Sequence, residues 1–230
     1  MKEMPGERET HILERGNYQN RGEVVQRATP HVLAPFPQEV PKNRLGLAKW
    51  LTTSDHPLLA RVTVNRYWQM IFGRGLVSTP EDFGMQGKPA THPELLDWLA
   101  RDFVSSGWNL HHLLKKMVLS HTYRQQSWIS QSAKDIDPEN LLLSRSSAYR
   151  LPAEMIRDGL LAHSNLLYKK VGGSGAKPYD LKVSFKPINP DGAPNVYRRS
   201  MYTYWKRTGP TPVMMALDAS KRDVCTVKRE

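Results

Sequence analysis

Four polar side chains near the middle of the chain are candidates for chemistry, because they lie in or around a glycine-rich stretch at 73–91. Arg66 follows Asn65 in an otherwise apolar helical pattern, and a buried arginine requires a carboxylate or carbonyl partner. One interpretation places four residues in a polar pocket under the stretch: Arg66, Asp82, His92 and Arg124. The other has Arg66 tying the stretch, or the helix with Glu154 and Asp158, into the core. Structural ion networks are commoner than sites, which favours the second interpretation.

Two of these candidates belong to short motifs. Asp82-Phe83-Gly84 repeats the magnesium-binding triplet of protein kinases, but the other kinase motifs are absent from the sequence. We therefore predict that Asp82 caps a turn through its own backbone. His92 stands at an expected helix start, where the helix dipole attracts anions, and it is either a base or a packing residue of the first turn. The pair Ser120-His121 lacks a nucleophile elbow, so hydrolase chemistry has little support.

The eight histidines are not spaced as metal ligands. His111 and His112 are adjacent, so on a helix they point about 100° apart. His121 and His163 fall on apolar stripes, which predicts hydrogen-bonded core histidines. The single cysteine, Cys225, excludes an internal disulfide. We predict no metal site and no cofactor in this chain.

The C-terminal part of the chain is strongly basic. Residues 169–230 hold 13 Lys and Arg against 5 Asp and Glu, while the whole chain has a net charge of +11. Within this part, cations alternate with aromatic residues in a pattern that suits stacking and phosphate, sulfate or sugar contacts. The candidates for binding a polyanion are Arg198, Arg199, Tyr202, Tyr204, Trp205, Lys206 and Arg207. The alternative is a strand that covers the helical body, and the sequence supports the two interpretations almost equally.

The helical pattern is punctuated by recognisable start and stop residues. Asn43 is a possible cap for a first helix over 45–51, and Ser54-Asp55 with Pro57 should begin a second one that Gly73 ends. The stretch 73–91 reads as an ordered loop packed by its own side chains. Thr91 and Glu94 have the spacing of a capping box for the third helix.

Further helices follow from the same signals. Gly107 should end the third helix and Asn109 should cap the fourth. A short helix is expected at Pro138. A last helix over 152–167 should bury one apolar stripe: Met155, Ile156, Leu160, His163 and Leu167.

The sequence thus predicts a mainly α fold: a compact multi-helix domain with an ordered Gly-rich loop and an irregular, partly β C-terminal wrap. The predicted division is an extended entry segment at 1–42, a helical core at 43–168 and a basic wrap at 169–230, which belongs to the same domain. No run approaches the roughly 18 apolar residues of a membrane span, and the N-terminus is too polar for a secretory signal.

Several stretches together resemble a known family. They are PLLARVTVNRYWQMIFGRGLVSTPEDFGMQGKPATHPELLDWLA, LSHTYRQ, RLPAEMIRDGLLAHS and YRRSMY. They are similar to the planctomycete-specific domain of unknown function 1553, over about residues 43–225. That domain is usually the C-terminal part of large cytochrome-c-associated multidomain proteins. The resemblance implies a fragment of a longer, extracytoplasmic protein, with any haem in a preceding domain because this chain has no C-x-x-C-H.

The resemblance implies no reaction, so the function classes stay open. The preferred one is a scaffold or binding module that contacts other domains of its polypeptide and an anionic polysaccharide. The alternative is an enzyme with a polar pocket under residues 73–92. Nucleic-acid binding ranks third, because no recognised motif accompanies the positive charge. The chain by itself does not establish a compartment.

Overall fold

The computed structural model describes residue 6 and residues 8–179, 189–206 and 211–220. Its first regular element is a hairpin of two antiparallel strands, β1 (Thr10–Leu13) and β2 (Arg21–Val25). A short 3-10 turn at Glu14–Gly16 connects them, with Gly16 at φ 74°. The segment expected to be an extended entry, residues 1–42, therefore contains a hairpin.

Helices dominate the described residues, which confirms the prediction of a mainly α fold. Their bounds are α1 (Arg44–Leu51), α2 (Leu59–Phe72), α3 (Pro93–Ser105), α4 (Leu110–Leu119), α5 (His121–Arg124), α6 (Gln131–Ile136), α7 (Ala153–His163) and α8 (Pro212–Ala216). None of the described helices has the length and apolar character needed to cross a membrane.

The chain forms two compact units. The first comprises Met1–Ser78 and Lys88–Tyr123, and the second comprises Thr79–Gly87 and Arg124–Glu230. Residues 124–168 thus group with the C-terminal part, whereas the sequence division joined them to the helical core. The three-segment domain division stays a prediction.

The core of the first unit forms where α2 packs against α3 and α4. Each helix contributes an apolar stripe, as its spacing predicts. The buried side chains are Val64, Trp68 and Phe72 from α2, Leu96, Leu99 and Phe103 from α3, and Leu113 and Met117 from α4. Trp68 stacks on Phe72 with ring centroids 4.0 Å apart, which adds an aromatic contact to the burial.

Several predicted helix ends are found. Asn43 accepts a hydrogen bond from the Gly46 N–H at 2.9 Å, and Asn109 accepts one from the His112 N–H at 3.1 Å. Gly73 ends α2 in the left-handed conformation at φ 76°. Each of these signals is local, because the cap and its partner lie within four residues of each other.

The caps predicted for α2 and α3 are wrong. The N-terminus of α2 is capped by His56, whose Nδ1 accepts the N–H groups of Leu58 and Leu59 at 3.4 and 3.3 Å. The Thr91 N–H instead donates to the Leu76 carbonyl at 2.9 Å. Thr91 is thereby committed to the loop, and α3 begins at Pro93 without a side-chain cap.

The region between α5 and α7 differs from its sequence pattern. It contains α6, which the sequence signals did not predict and which Ser130 caps. No helix begins at Pro138, because the Asp137 carboxylate accepts the N–H groups of Leu141 and Leu142, both at 2.8 Å, and closes a turn.

The core of the second unit includes a small cluster of Ala153, Met214 and Ala219. Trp205 and Leu217 pack against it. The segment after residue 168 is irregular, as predicted. Its strand character among the described residues consists of two isolated parallel bridges, Tyr168–Arg198 and Ala176–Thr203.

Candidate functional site

The start of the glycine-rich stretch is clasped to α2 by a buried asparagine. The Asn65 side chain is fully buried, and its Nδ2 donates to the Val77 carbonyl while its Oδ1 accepts the Val77 N–H, both at 2.9 Å. Gly75 makes this approach possible, because an added Cβ would lie 2.5 Å from the Val77 oxygen. Residues 73–78 are therefore an ordered structural clasp. Of the two polar residues that interrupt the apolar pattern of α2, Asn65 is the one that packs into the core. Arg66 is exposed.

The four central candidates are divided between the two units. Arg66 and His92 belong to the first unit, and Asp82 and Arg124 belong to the second. The Arg66 and Arg124 side chains are exposed and form no ion pair with any residue that the structure describes. Nδ1 of His92 lies 3.1 Å from Oγ1 of its neighbour Thr91. Neither unit contains a hydrogen bond between its two candidates, among the residues described.

Asp82 forms the turn that its motif predicts. Its Oδ1 accepts the Gly84 N–H at 2.7 Å, and its backbone carbonyl accepts the Thr79 hydroxyl at 2.8 Å. Gly87 packs so closely on this turn that a Cβ there would lie 2.1 Å from the Asp82 oxygen. The Asp-Phe-Gly triplet is thus part of a self-bonded turn.

The predicted histidine roles are wrong. His121 and His163 are exposed, whereas the sequence predicts core positions. The buried histidine is His56, whose ring lies edge-on to Trp50 with centroids 4.7 Å apart. No group of three or more metal-ligating side chains occurs within residues 8–179, 189–206 and 211–220.

One charged cluster ties α3 to α4 in the first unit. Asp102 accepts hydrogen bonds from Lys116 and, at 3.2 Å, from His112 Nε2. The Lys116 bond lowers the pKa of the Asp102 carboxyl, and His112 adds to the effect. Nearby, the hydrogen bond from Arg61 lowers the pKa of Asp97. Both clusters join neighbouring helices, so they have a structural role.

In the second unit, α7 holds the C-terminal segment through two charged side chains. Arg157 donates to the Val196 and Arg198 carbonyls, each at 2.9 Å, and Asp158 accepts the N–H and hydroxyl of Ser200 at 2.8 and 2.6 Å. Burial lowers the pKa of Arg157, and the Asp158 carboxylate opposes this shift. We call Arg157, Asp158 and Arg198 the arginine anchor.

The anchor reverses the face that α7 was predicted to bury. Met155 and Leu160 are 48% and 66% exposed, although their spacing predicts burial. The opposite face carries Arg157 and Asp158, whose hydrogen bonds with residues 196–200 orient the helix. Long-range polar contacts therefore override the apolar periodicity here.

Arg198 is the most buried member of the anchor, at 4% exposure. Its Nη1 donates to the Ser174 carbonyl at 2.9 Å, and its Nη2 donates to the Gly172 and Lys170 carbonyls at 2.6 and 3.1 Å. Its guanidinium also lies 4.1 Å from the ring centroid of Tyr202. Of the predicted polyanion contacts, Arg198 and Tyr202 are thus engaged with each other and with the loop at 170–174.

The other predicted contacts differ in accessibility. Arg199 is exposed, and the Tyr204 side chain is 40% exposed. Trp205 packs partly into the small core of the second unit, and Lys206 is half-buried. Arg207 lies outside the described residues.

Three lysines next to these residues were missed as candidates. The bridge Tyr168–Arg198 is parallel, so Lys169 and Arg199 follow it on two neighbouring segments that run in the same direction. Lys170 follows directly, and Lys177 comes just after the second bridge, at Ala176. A pair of lysines precedes VGGSGA in the sequence and one lysine follows it, but only the fold places them beside residues 198–204. We call Lys169, Lys170, Lys177 and Arg199 the basic surface.

The comparisons with known proteins give one match. A family model described as PSD1, protein of unknown function (DUF1553), matches residues 43–230. No curated protein and no solved structure matches the chain. The family match agrees with the resemblance carried by the sequence motifs.

Proposed function

We propose that this chain, which belongs to the family of proteins of unknown function DUF1553, is a binding module for an anionic polysaccharide. The observation that carries the proposal is the basic surface of the second unit. Its four side chains are exposed and form no ion pair with any residue described in the structure. They are therefore available to a polyanion, whereas the fold of this unit engages Arg145, Arg150, Arg157 and Arg198.

The local charge supports this function. Residues 168–179 and 196–206 hold six Lys and Arg and no Asp or Glu. Carboxylates such as Asp158 and Asp218 are occupied by Ser200 and Arg150. One further carboxylate lies next to this surface, because Oδ2 of Asp191 accepts the Lys177 backbone N–H at 3.0 Å. A polyanion would be attracted by the excess of positive charge that remains.

The arginine anchor makes the basic surface a stable one. It fastens residues 196–200 to α7, while Arg198 gathers the carbonyls of the loop at 170–174. Side chains carried by such a bonded scaffold lose less conformational freedom on binding than side chains on a free tail. The exposed ring of Tyr204 offers an adjoining surface for stacking on sugar rings.

We infer a setting from the family resemblance. The module works beside other domains of a longer extracytoplasmic polypeptide, in which a separate domain carries haem. The sequence of the complete gene tests this inference. A secretory signal and a C-x-x-C-H motif upstream would support it, and an open reading frame that begins at Met1 would contradict it.

The binding proposal is tested by titrating the protein with a sulfated, heparin-like chain at several salt concentrations. Electrostatic binding to a polyanion weakens steeply with salt, because bound counterions are released. Undetectable binding, or binding that does not respond to salt, would contradict the proposal. Equal affinity for duplex DNA would favour the nucleic-acid interpretation instead.

A further inference from the structure

The guanidinium of Arg198 is a buried cation without a carboxylate partner among the described residues. Its two terminal nitrogens donate to three backbone carbonyls, and its buried Nε–H has no acceptor in the same part of the chain. The nearest ring, that of Tyr202, supplies only a partial negative charge. Burying a charge is costly unless a counter-ion or enough hydrogen bonds compensate for it. Arg198 therefore places a positive charge, with no carboxylate partner among the described residues, beside the loop whose carbonyls it binds.

That loop, residues 171–175, presents free backbone donors. All five residues are exposed, and Gly172 and Gly173 have φ of 75° and 83°. The Gly172 N–H donates to the Tyr202 hydroxyl at 3.1 Å. The N–H groups of Val171, Gly173, Ser174 and Gly175 donate to no group within the described residues. Two of the three carbonyls bound to Arg198, those of Gly172 and Ser174, occur together with these unbonded N–H groups in one short loop.

Unpaired cations stand on both sides of the loop. Lys169 and Lys170 precede it and Lys177 follows it, all exposed. The two parallel bridges hold the ends of the segment against residues 198 and 203. Successive backbone N–H groups in glycine-rich turns form concave sites for oxyanions, and nearby positive charge strengthens them. The loop thus combines main-chain donors, a buried guanidinium and flanking ammonium groups.

We propose that residues 171–175 form an oxyanion subsite that takes a sulfate group of the polysaccharide. This inference rests on the proposed function and names the group that the site recognises. A tetrahedral oxyanion offers acceptor oxygens in several directions, which suits N–H donors from successive residues. A carboxylate has two oxygens in one plane and would satisfy fewer of them. The bound sulfate serves as the counter-ion that Arg198 lacks.

The first test measures inorganic sulfate binding to the whole chain by the backbone amide resonances. Sodium sulfate is added at constant ionic strength, balanced with sodium chloride. We expect saturable shifts at Gly173, Ser174 and Gly175. Shifts that never saturate, or that chloride reproduces, would overturn the subsite.

A matched pair of variants makes the test specific. Ser174→Asp places a carboxylate in the loop as a competing anion, and we expect it to weaken sulfate binding by about tenfold or more. Ser127→Asp adds the same charge at an exposed position of the same unit and should leave the shifts unchanged. Equal weakening by both variants would show that the effect comes from net charge alone, and it would overturn the subsite.

The second test identifies the source of the oxyanion and separates the two proposals. A sulfated chain should shift the loop amides, and a desulfated chain of equal length should not. If neither chain binds but inorganic sulfate does, the subsite stands and the polysaccharide function fails. If the sulfated chain binds without shifting these amides, the function stands and the subsite fails. Equal shifts from the desulfated chain would overturn the sulfate assignment.

Discussion

Asn65 and Val77 are joined by two hydrogen bonds of 2.9 Å, so that a side-chain amide takes the place of a strand neighbour. Replacing Asn65 with alanine leaves the buried N–H and C=O of Val77 without partners. We expect a loss of about 2–4 kcal/mol in the free energy of unfolding, measured by urea denaturation. Arg66→Ala, one residue further on and exposed, should change stability by no more than about 0.5 kcal/mol. Similar losses for both variants would contradict the clasp.

Local sequence signals predicted the helix ends whose partners are close in the chain. Asn43, Asn109 and Gly73 act as expected, because each cap requires only a few neighbouring residues. The capping-box prediction at Thr91 is wrong, because the Thr91 N–H donates to the carbonyl of Leu76, 15 residues earlier in the chain. No local pattern contains that contact.

The candidate site was predictable in composition but not in arrangement. The sequence identified Arg198 and Arg199 as equivalent neighbours, yet one is buried against carbonyls and the other is exposed. Their difference arises from contacts with α7 and with residues 170–174, which are about 25–40 residues away in the chain. Periodicity measures apolar character along one helix, so it could not anticipate that Arg157 would determine which face turns inward.

Two helical glycines should respond oppositely to alanine. A Cβ at Gly46 in α1 would lie 1.9 Å from the Pro41 carbonyl oxygen and 3.0 Å from the Phe36 ring, whereas Gly159 in α7 has nothing within 4 Å. We expect Gly159→Ala to stabilise the protein by about 0.5–1 kcal/mol, because alanine loses less backbone entropy. Gly46→Ala should destabilise it by about 1–3 kcal/mol through overpacking. Thermal and urea denaturation measure both. A stabilising Gly46→Ala would contradict the close contact with Pro41.

The Asp102 cluster predicts a pH dependence of stability. Lys116 and His112 hold the pKa of Asp102 below its ordinary value of 3.8, so the folded state favours the carboxylate. Its stabilisation is complete above that value and is lost as the pH falls through the lowered folded-state pKa. Asp102→Asn should therefore cost up to about 1 kcal/mol at neutral pH and progressively less as the pH falls below 3.8. Glu81→Gln, at an exposed position, provides the control. A difference between Asp102→Asn and wild type that is independent of pH would refute this role.

The arginine anchor predicts local release of the C-terminal segment. Arg157→Met removes the donors to the Val196 and Arg198 carbonyls and leaves Asp158 without its charged neighbour. We expect a loss of about 3 kcal/mol and faster amide hydrogen exchange at Ser200. Arg124→Met, at an exposed arginine of the same unit, should leave both unchanged. Unaltered exchange at Ser200 in Arg157→Met would rule out the anchor.

The basic surface is tested most directly by comparing two triple variants of equal charge change. One removes Lys169, Lys170 and Arg199, each replaced by glutamine. The other makes the same replacement at Lys49, Arg66 and Lys115, which are exposed in the first unit. Affinity for a heparin-like chain is measured against salt concentration. We predict that the first variant loses most of its affinity and lowers the salt-dependence slope by roughly one per removed cation, while the second keeps both. Equal loss in the two variants would contradict a polyanion surface on the second unit.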